Sequence, residues 1–325
     1  MFEILSDDFE KIIGKNPRLH LLATGFELTE GPVFLNKNKS KEGFFFFTDQ
    51  RKNHIYCMTW NGLGPYHQLT ELSYELPILF KYPANIANGM SADLEGRLII
   101  AEAGGRRLSR IEVDGTLSTL IENYEGKKLN SPNDIIVKSD GSIWFTDPNY
   151  GYLGFGSLNT VSDCELTNNV YRFDPQTKEL SVVLSHLKNP NGLAFSKDES
   201  ILYVSDSGAC QGYGTYYHSY PHHVYAYDVS PEGEKISNER VLAVISPGFP
   251  DGIRIDEEDN LYVTAEEGVL VFNPQGILLG KIHLPAVTTN LTFGDISNTI
   301  LFICTLNSIW AVQLQVRGGK KVPIL

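Results

Sequence analysis

The chain has 325 residues, 42% of them hydrophobic, 11% aromatic and 20% charged, which supplies a substantial core and rules against a largely disordered chain. A formal net charge of -12 and a pI near 5.1 repel phosphate backbones and anionic membrane surfaces, so neither nucleic acid nor a membrane is an expected partner. Cys57, Cys164, Cys210 and Cys304 stand far apart with no CxxC pair, which argues against a zinc knuckle or a disulfide framework.

The N-terminal stretch MFEILSDDFEKIIGK is amphipathic and acid-containing, and it lacks the basic and continuous apolar regions of a signal peptide. The expectation is a cytoplasmic protein whose first 20 or so residues form an extension, with a short helix over residues 6–14. No apolar stretch approaches the roughly 20 residues of a membrane-spanning helix. The segment RLHLLATGF near residue 20 reads as a strand that pairs with strands from the C-terminal end.

Beyond it, one pattern recurs. NGMSADLEGRLIIAEAG (88–104), NDIIVKSDGSIWFTDPN (133–149), NGLAFSKDESILYVSDSG (191–208) and DGIRIDEEDNLYVTAEEG (251–268) each read as strand, tight turn, strand. Two weaker copies, EGPVFLNKNKSKEGFFFFTDQ (30–50) and NLTFGDISNTILFICTLN (290–307), bring the count to six. Segments such as RLSRIEVDG, NNVYRFDPQ, HVYAYDVS and GVLVFNPQG supply outer strands. The fold expected is all-β: a six-bladed β-propeller with four-stranded blades, the whole chain forming one domain around a central channel. A large β-sandwich has similar short strands, but six near-equivalent hairpins argue against it. The glycines of GYLGFG (151–156) are in the wrong order for a dinucleotide loop, and no helical pattern follows.

In a propeller, equivalent positions on the innermost strands converge on the channel. That position reads Glu30, Asn88, Asn133, Asn191, Asp251 and Asn290: six oxygen donors, two of them carboxylates. Asn or Asp before Gly often does no more than make a tight turn. Six at equivalent positions, with a Glu where a turn needs none, suit a hard cation such as calcium. The absence of His and Cys from the set disfavours zinc or copper. A second periodic set, Asp49, Glu102, Asp147, Asp206 and Glu266, closes the second strand of each hairpin and reads as turn caps and solvated acids. The Tyr-, Gly- and His-rich insert GACQGYGTYYHSYPHH (208–223) reads as a long loop over one channel mouth, either a lid or a packed surface loop.

TGFELTEGPVF, ANGMSADLEGRLIIAE, GGRRLSRIEVDG, NPNGLAFSKDESILYVSDSG, FPDGIRID and NLTFGD carry a resemblance, and the block YEGKKLNSPNDIIVKSDGSIWFTDPNYG at 124–151 is the most specific. Over essentially its full length the chain resembles the SMP-30/gluconolactonase/LRE-like family, microbial gluconolactonases above all. The resemblance implies a six-bladed propeller holding a catalytic divalent cation, usually Ca2+, with Zn2+, Mn2+ or Mg2+ as other occupants, and hydrolysis of a small-molecule sugar lactone. It carries the family's metal ligands onto Glu30, Asn133, Asn191 and Asp251, and makes Asp251 a candidate general base. Ala103 stands where gluconolactonases commonly have a His, and Phe34 where they have a Trp; neither is a ligand position.

Such a cation can polarise a lactone carbonyl and lower the pKa of water. Asn88, Ser131, Asp134, Arg106 and His223 are candidates for contacting substrate or supporting the ligands. Against that, Arg106 is of a kind that pairs with a surface acid, and the adjacent His222 and His223 cannot both face inward on one strand. No G-x-S-x-G or HExxH motif is present. The activity expected is hydrolysis of glucono-1,5-lactone or another aldonolactone. Hydrolysis of other lactones or organophosphates on the same fold, or a non-catalytic interaction module, are the alternatives.

Overall fold

The computed structural model describes residues 1–37, 42–60, 85–154, 164–320 and 323–324. The second strand of each hairpin is a near-continuous apolar run because both of its faces are covered by neighbouring blades. The block FFFF shows why. Along Gly43–Asp49 successive side chains alternate, so Phe45 and Phe47 pack toward Phe302 and Ile309, while Phe46 packs the other way among Met90, Leu98 and Ile100. The Phe45 and Phe302 rings stack with centroids 4.5 Å apart.

Six antiparallel blades result. The first holds Thr29–Asn36, Gly43–Asp49 and His54–Trp60; its expected fourth strand falls outside the described residues. The second holds Ala87–Ala92, Leu98–Glu102, Arg107–Ile111 and Leu117–Ile121, and the third Ile135–Val137, Ile143–Asp147, Asn169–Phe173 and Leu180–Leu184. The fourth holds Pro190–Phe195, Ile201–Asp206, His223–Val229 and Ile236–Val244, and the fifth Ile253–Ile255, Leu261–Ala265, Gly268–Phe272 and Leu278–His283. The sixth is made from both ends of the ring: Thr288–Gly294, Ile300–Thr305 and Ser308–Gln313 are completed by Leu19–Thr24, with Leu19 opposite Val312 and His20 opposite Ala311. That pairing covers an otherwise bare sheet edge, as RLHLLATGF suggested.

The N-terminal extension docks on the fifth and sixth blades. Phe2–Ile4 adds a fifth strand to the fifth blade. The helix Asp7–Ile13 starts where Ser6 accepts a hydrogen bond from the Phe9 amide at 3.2 Å, and ends at Gly14, whose φ of 74° suits glycine. Its buried Phe9, Ile12 and Ile13 share one face. Phe9 lies over Gly280, where an added Cβ would come within 2.1 Å of the ring. Described residues near the C-terminus touch three blades: Gly319 donates to the Ile255 carbonyl at 3.0 Å, Lys320 Nζ to that of Val137 at 2.7 Å, and Pro323 accepts from the Asn36 amide at 2.8 Å.

The blades are joined at the channel by one repeated contact. Thr48 Oγ1 donates to the Asn88 carbonyl of the next blade at 3.1 Å, Thr146 Oγ1 to that of Asn191 at 2.7 Å, Ser205 Oγ to that of Asp251 at 2.7 Å and Thr264 Oγ1 to that of Thr289 at 2.8 Å. The second blade has Ala101 in this place, and there the Gly89 amide donates to the Asn133 carbonyl at 2.7 Å. Thr289 Oγ1 closes the circle onto the Thr29 carbonyl at 2.6 Å. Glycine is required where backbones meet: a Cβ on Gly192 would lie 2.3 Å from the Asp251 oxygen. Gly192→Ala is therefore expected to destabilise the protein by about 1–3 kcal/mol through overpacking, read as a lowered denaturant midpoint. An unchanged midpoint would mean that this joint tolerates separation.

Candidate functional site

The inner strands are irregular where they meet the channel. Pairing slips between Glu30 and Val33, Ala87 and Met90, Pro190 and Leu193, and Thr288 and Leu291. In the third and fifth blades regular pairing starts only at Ile135 and Ile253. Such bulges re-aim single side chains. Glu30, Asn88, Asn133, Asn191, Asp251 and Thr289 line one cavity of about 120 Å³, with Ser131 at its side.

Asn290, the sixth residue of the periodic series, does not line that cavity. The bulge between Thr288 and Leu291 has the same register as those of the second and fourth blades, and in it Asn290 takes the place of Gly89 and Gly192 while Thr289 takes that of Asn88 and Asn191. Asn290 lies behind it, donating from Nδ2 to Glu30 Oε2 at 3.0 Å and accepting from the Leu291 amide at 2.9 Å. Glu30 Oε2 also accepts from the Gly31 amide at 2.7 Å, so both bonds fall on one carboxylate oxygen. Asp134 likewise sits one residue past the ring, where other blades carry Gly31, Gly89, Gly192 and Gly252. It is fully buried and does not line the cavity; Arg254 meets it at 3.2 Å, and the Ile135 and Leu193 amides donate to it at 3.0 and 3.3 Å. It acts as a support under the ring rather than a substrate contact.

Glu30 is 5% exposed and Asp251 is half-buried, and no lysine or arginine pairs directly with either among the described residues. Burial raises the Glu30 pKa to about 7, against the pull of the Gly31 and Asn290 hydrogen bonds. Burial, then the charge of Glu30, raises Asp251, while a hydrogen bond from Asn191 opposes the shift. Asn88 Oδ1 is buried with no hydrogen-bond partner. Among the described residues no three His, Cys, Asp or Glu side chains gather, so the donor set is two carboxylates with amide and hydroxyl oxygens. An uncompensated pair of anions beside an orphaned amide oxygen fits a hard divalent cation.

The second periodic set is buried rather than solvated, and it holds the strands that carry the ring. Asp49 accepts from the Glu27 and Leu28 amides, both at 3.1 Å, and Asp147 from that of Asn130 at 2.8 Å. Asp206 accepts from the Lys188 and Asn189 amides, both at 2.8 Å, and Glu102 from Asn85 Nδ2 at 3.0 Å. In the fifth blade that place is taken by Ala265, and Glu266 is exposed.

Ser131 faces the cavity, but its Oγ already donates to the Pro148 carbonyl at 2.5 Å and accepts from the Gly151 amide at 2.9 Å. Arg106 does not line the cavity. Its Nε donates to the Leu129 carbonyl at 2.6 Å and its guanidinium lies over the Tyr152 ring, which anchors the segment leading to Ser131. His223 begins the third strand of its blade, away from the channel, with Nδ1 3.1 Å from the Tyr225 hydroxyl. The 208–223 loop does reach the mouth. Cys210 lines the cavity, and Tyr213 meets Arg51 of the first blade, the guanidinium 4.8 Å from the ring centroid. Missed in the sequence were Thr289, Gln50, Arg254 and the joint hydroxyls. The last had a signal: a Thr or Ser immediately precedes the acid in FTD, FTD and VSD.

The model of the family described as SMP-30/gluconolactonase/LRE-like region matches residues 28–307. A gluconolactonase of Zymomonas mobilis is 27% identical over 96% of this chain and 86% of its own length. A solved structure from Xanthomonas campestris, described as a gluconolactonase, superposes with a TM-score of 0.77 at 29% identity, covering 96% of this chain and 94% of that one. Another, described as a candidate gluconolactonase, gives a TM-score of 0.80 at 30% identity over 99% of this chain and all of that one. The chain belongs to the SMP-30/gluconolactonase/LRE-like family.

Proposed function

We propose that this protein is a cytoplasmic hydrolase of lactones, glucono-1,5-lactone among them, that works with a calcium ion held by Glu30, Asn133, Asn191 and Asp251. The observation that carries the reading is that two carboxylates, Glu30 and Asp251, share one cavity with the unpartnered amide oxygen of Asn88. The names of the relatives favour a lactone over other esters. A divalent cation bound there supplies electrophilic polarisation of the lactone carbonyl and eases loss of a proton from water.

The chain's own groups divide the remaining work. Gly31 and Asn290 fix Glu30 through Oε2, leaving Oε1 without a protein partner among the described residues. Asp251 accepts the proton of the attacking water, a role that suits a carboxylate whose burial and anionic neighbour raise its pKa. Asn191 orients it through the hydrogen bond between them. Asn88 offers the ring's unpartnered oxygen to a substrate hydroxyl or to water.

Acid release from glucono-1,5-lactone, followed with a pH indicator and corrected for spontaneous hydrolysis, tests this. EDTA-treated protein is expected to be inactive and to recover with calcium, and Asp251→Ala to lose at least about 100-fold in rate. Folded protein with no rate above background under any divalent ion would overturn the assignment.

Stability gives a second check. A carboxylate raised from 4.5 to about 7 on folding keeps its proton in the native state after the unfolded chain has released it. Metal-free protein should therefore lose stability as pH rises across that window. Calcium, which favours the ionised ring, is expected to raise the melting temperature more at pH about 8 than at pH about 5. An equal rise at both would place calcium elsewhere.

A further inference from the structure

The cavity has two chemically different parts. One is the ring of oxygen donors. The other is a wall formed by Leu28, Ala103, Cys210, Phe249, Val287 and Leu306. Tyr150 adds an aromatic face, since its hydroxyl donates to the Ser207 carbonyl at 3.1 Å. Ser131 has already committed its hydroxyl as both donor and acceptor. Among the described residues, the Gln50 amide is the one wall side chain with hydrogen-bonding capacity to spare.

A polyhydroxylated lactone bound here gives up the water on several hydroxyl groups and meets mostly carbon. Polar groups buried without partners are penalised, whereas methylenes against such a wall are favoured. Leu306, Val287 and Phe249 are only half-buried, so apolar surface remains for a substrate to cover. The aromatic 208–223 loop extends that character to the mouth, with Tyr213, Tyr217 and Tyr220 exposed.

We infer that the wall selects lactones whose ring carries an apolar alkyl or aryl substituent over polyhydroxylated sugar lactones; this rests on the lactone-hydrolase reading above. The lactone carbonyl faces the ring of donors, and the substituent lies along Leu28, Val287 and Leu306. Two or three methylenes buried there correspond to a preference of roughly ten- to fiftyfold in kcat/KM.

The experiment compares glucono-1,5-lactone with a 1,5-lactone bearing a pentyl chain, using the calcium-loaded full chain and the same indicator assay. The pentyl lactone is expected to give the higher kcat/KM by roughly tenfold or more. Leu306→Asn, outside the ring of donors, should shrink that ratio by weakening turnover of the pentyl lactone more than that of the sugar lactone. Val287→Asn replaces it if the melting curve shows that Leu306→Asn does not fold. Equal or faster turnover of glucono-1,5-lactone, or a ratio unmoved in a folded wall variant, overturns the inference and leaves lactone hydrolysis standing. Hydrolysis of neither lactone overturns both.

Discussion

The structure depends on a hydroxyl or amide of one blade reaching the carbonyl of the ring residue in the next. Thr48, Thr146, Ser205 and Thr264 make this contact, the Gly89 amide makes it from the second blade, and the sixth blade, with Cys304 in place of the hydroxyl, closes onto the Thr29 carbonyl through Thr289. Channel backbone cannot complete a regular ladder where each inner strand bulges, and buried carbonyls left alone are costly. The joints satisfy those carbonyls and also fix the spacing of the side chains that project from the same residues. Fold closure and site geometry are therefore one set of bonds. A change that loosens a joint moves a donor as well.

Electrostatics adds a second constraint. Asp134 and Arg254 form an ion pair beneath the ring, so that layer is close to neutral. The layer above keeps two carboxylates with no cation of the chain directly paired to them. Buried charges normally persist only when paired, and here burial pushes both carboxylates toward their protonated forms. The supporting acids differ in kind. Asp49, Asp147 and Asp206 each spend their charge on backbone amides just ahead of a ring residue, so they shape the strand's entry without competing for a ligand.

The repeat was legible because each hairpin keeps its own turn and apolar run, and six such units allow few other arrangements. Five of the six ring residues followed from the same spacing. Asn290 did not, because the sixth blade has no Asn-Gly or Asp-Gly pair to mark its place: Thr289-Asn290 stands where Asn88-Gly89 and Asn191-Gly192 stand in the same bulge, so its Asn falls on the glycine position. His223 illustrates a different limit: its neighbourhood in sequence is a long loop that does reach the mouth, but its own position opens a strand two removed from the channel. Asp134 and Asn290 look like site residues from their type, yet depth decides their role, and depth is set by packing between blades distant in sequence. The joint hydroxyls were visible as Thr-Asp and Ser-Asp pairs, but nothing local says which blade they reach.

The ends of the circle meet in the sixth blade, where Leu19–Thr24 pairs with Ser308–Gln313. Glu30 and Asp251 belong to blades on either side of that closure, and no short stretch of chain carries more than a fraction of the donors. A loop that gathers its ligands locally can bind an ion early and fold around it. This ring cannot, because its donors come together only when the circle is shut. Any ion it holds binds the completed native state alone, and so acts late, as a lock on closure rather than as a nucleus for folding.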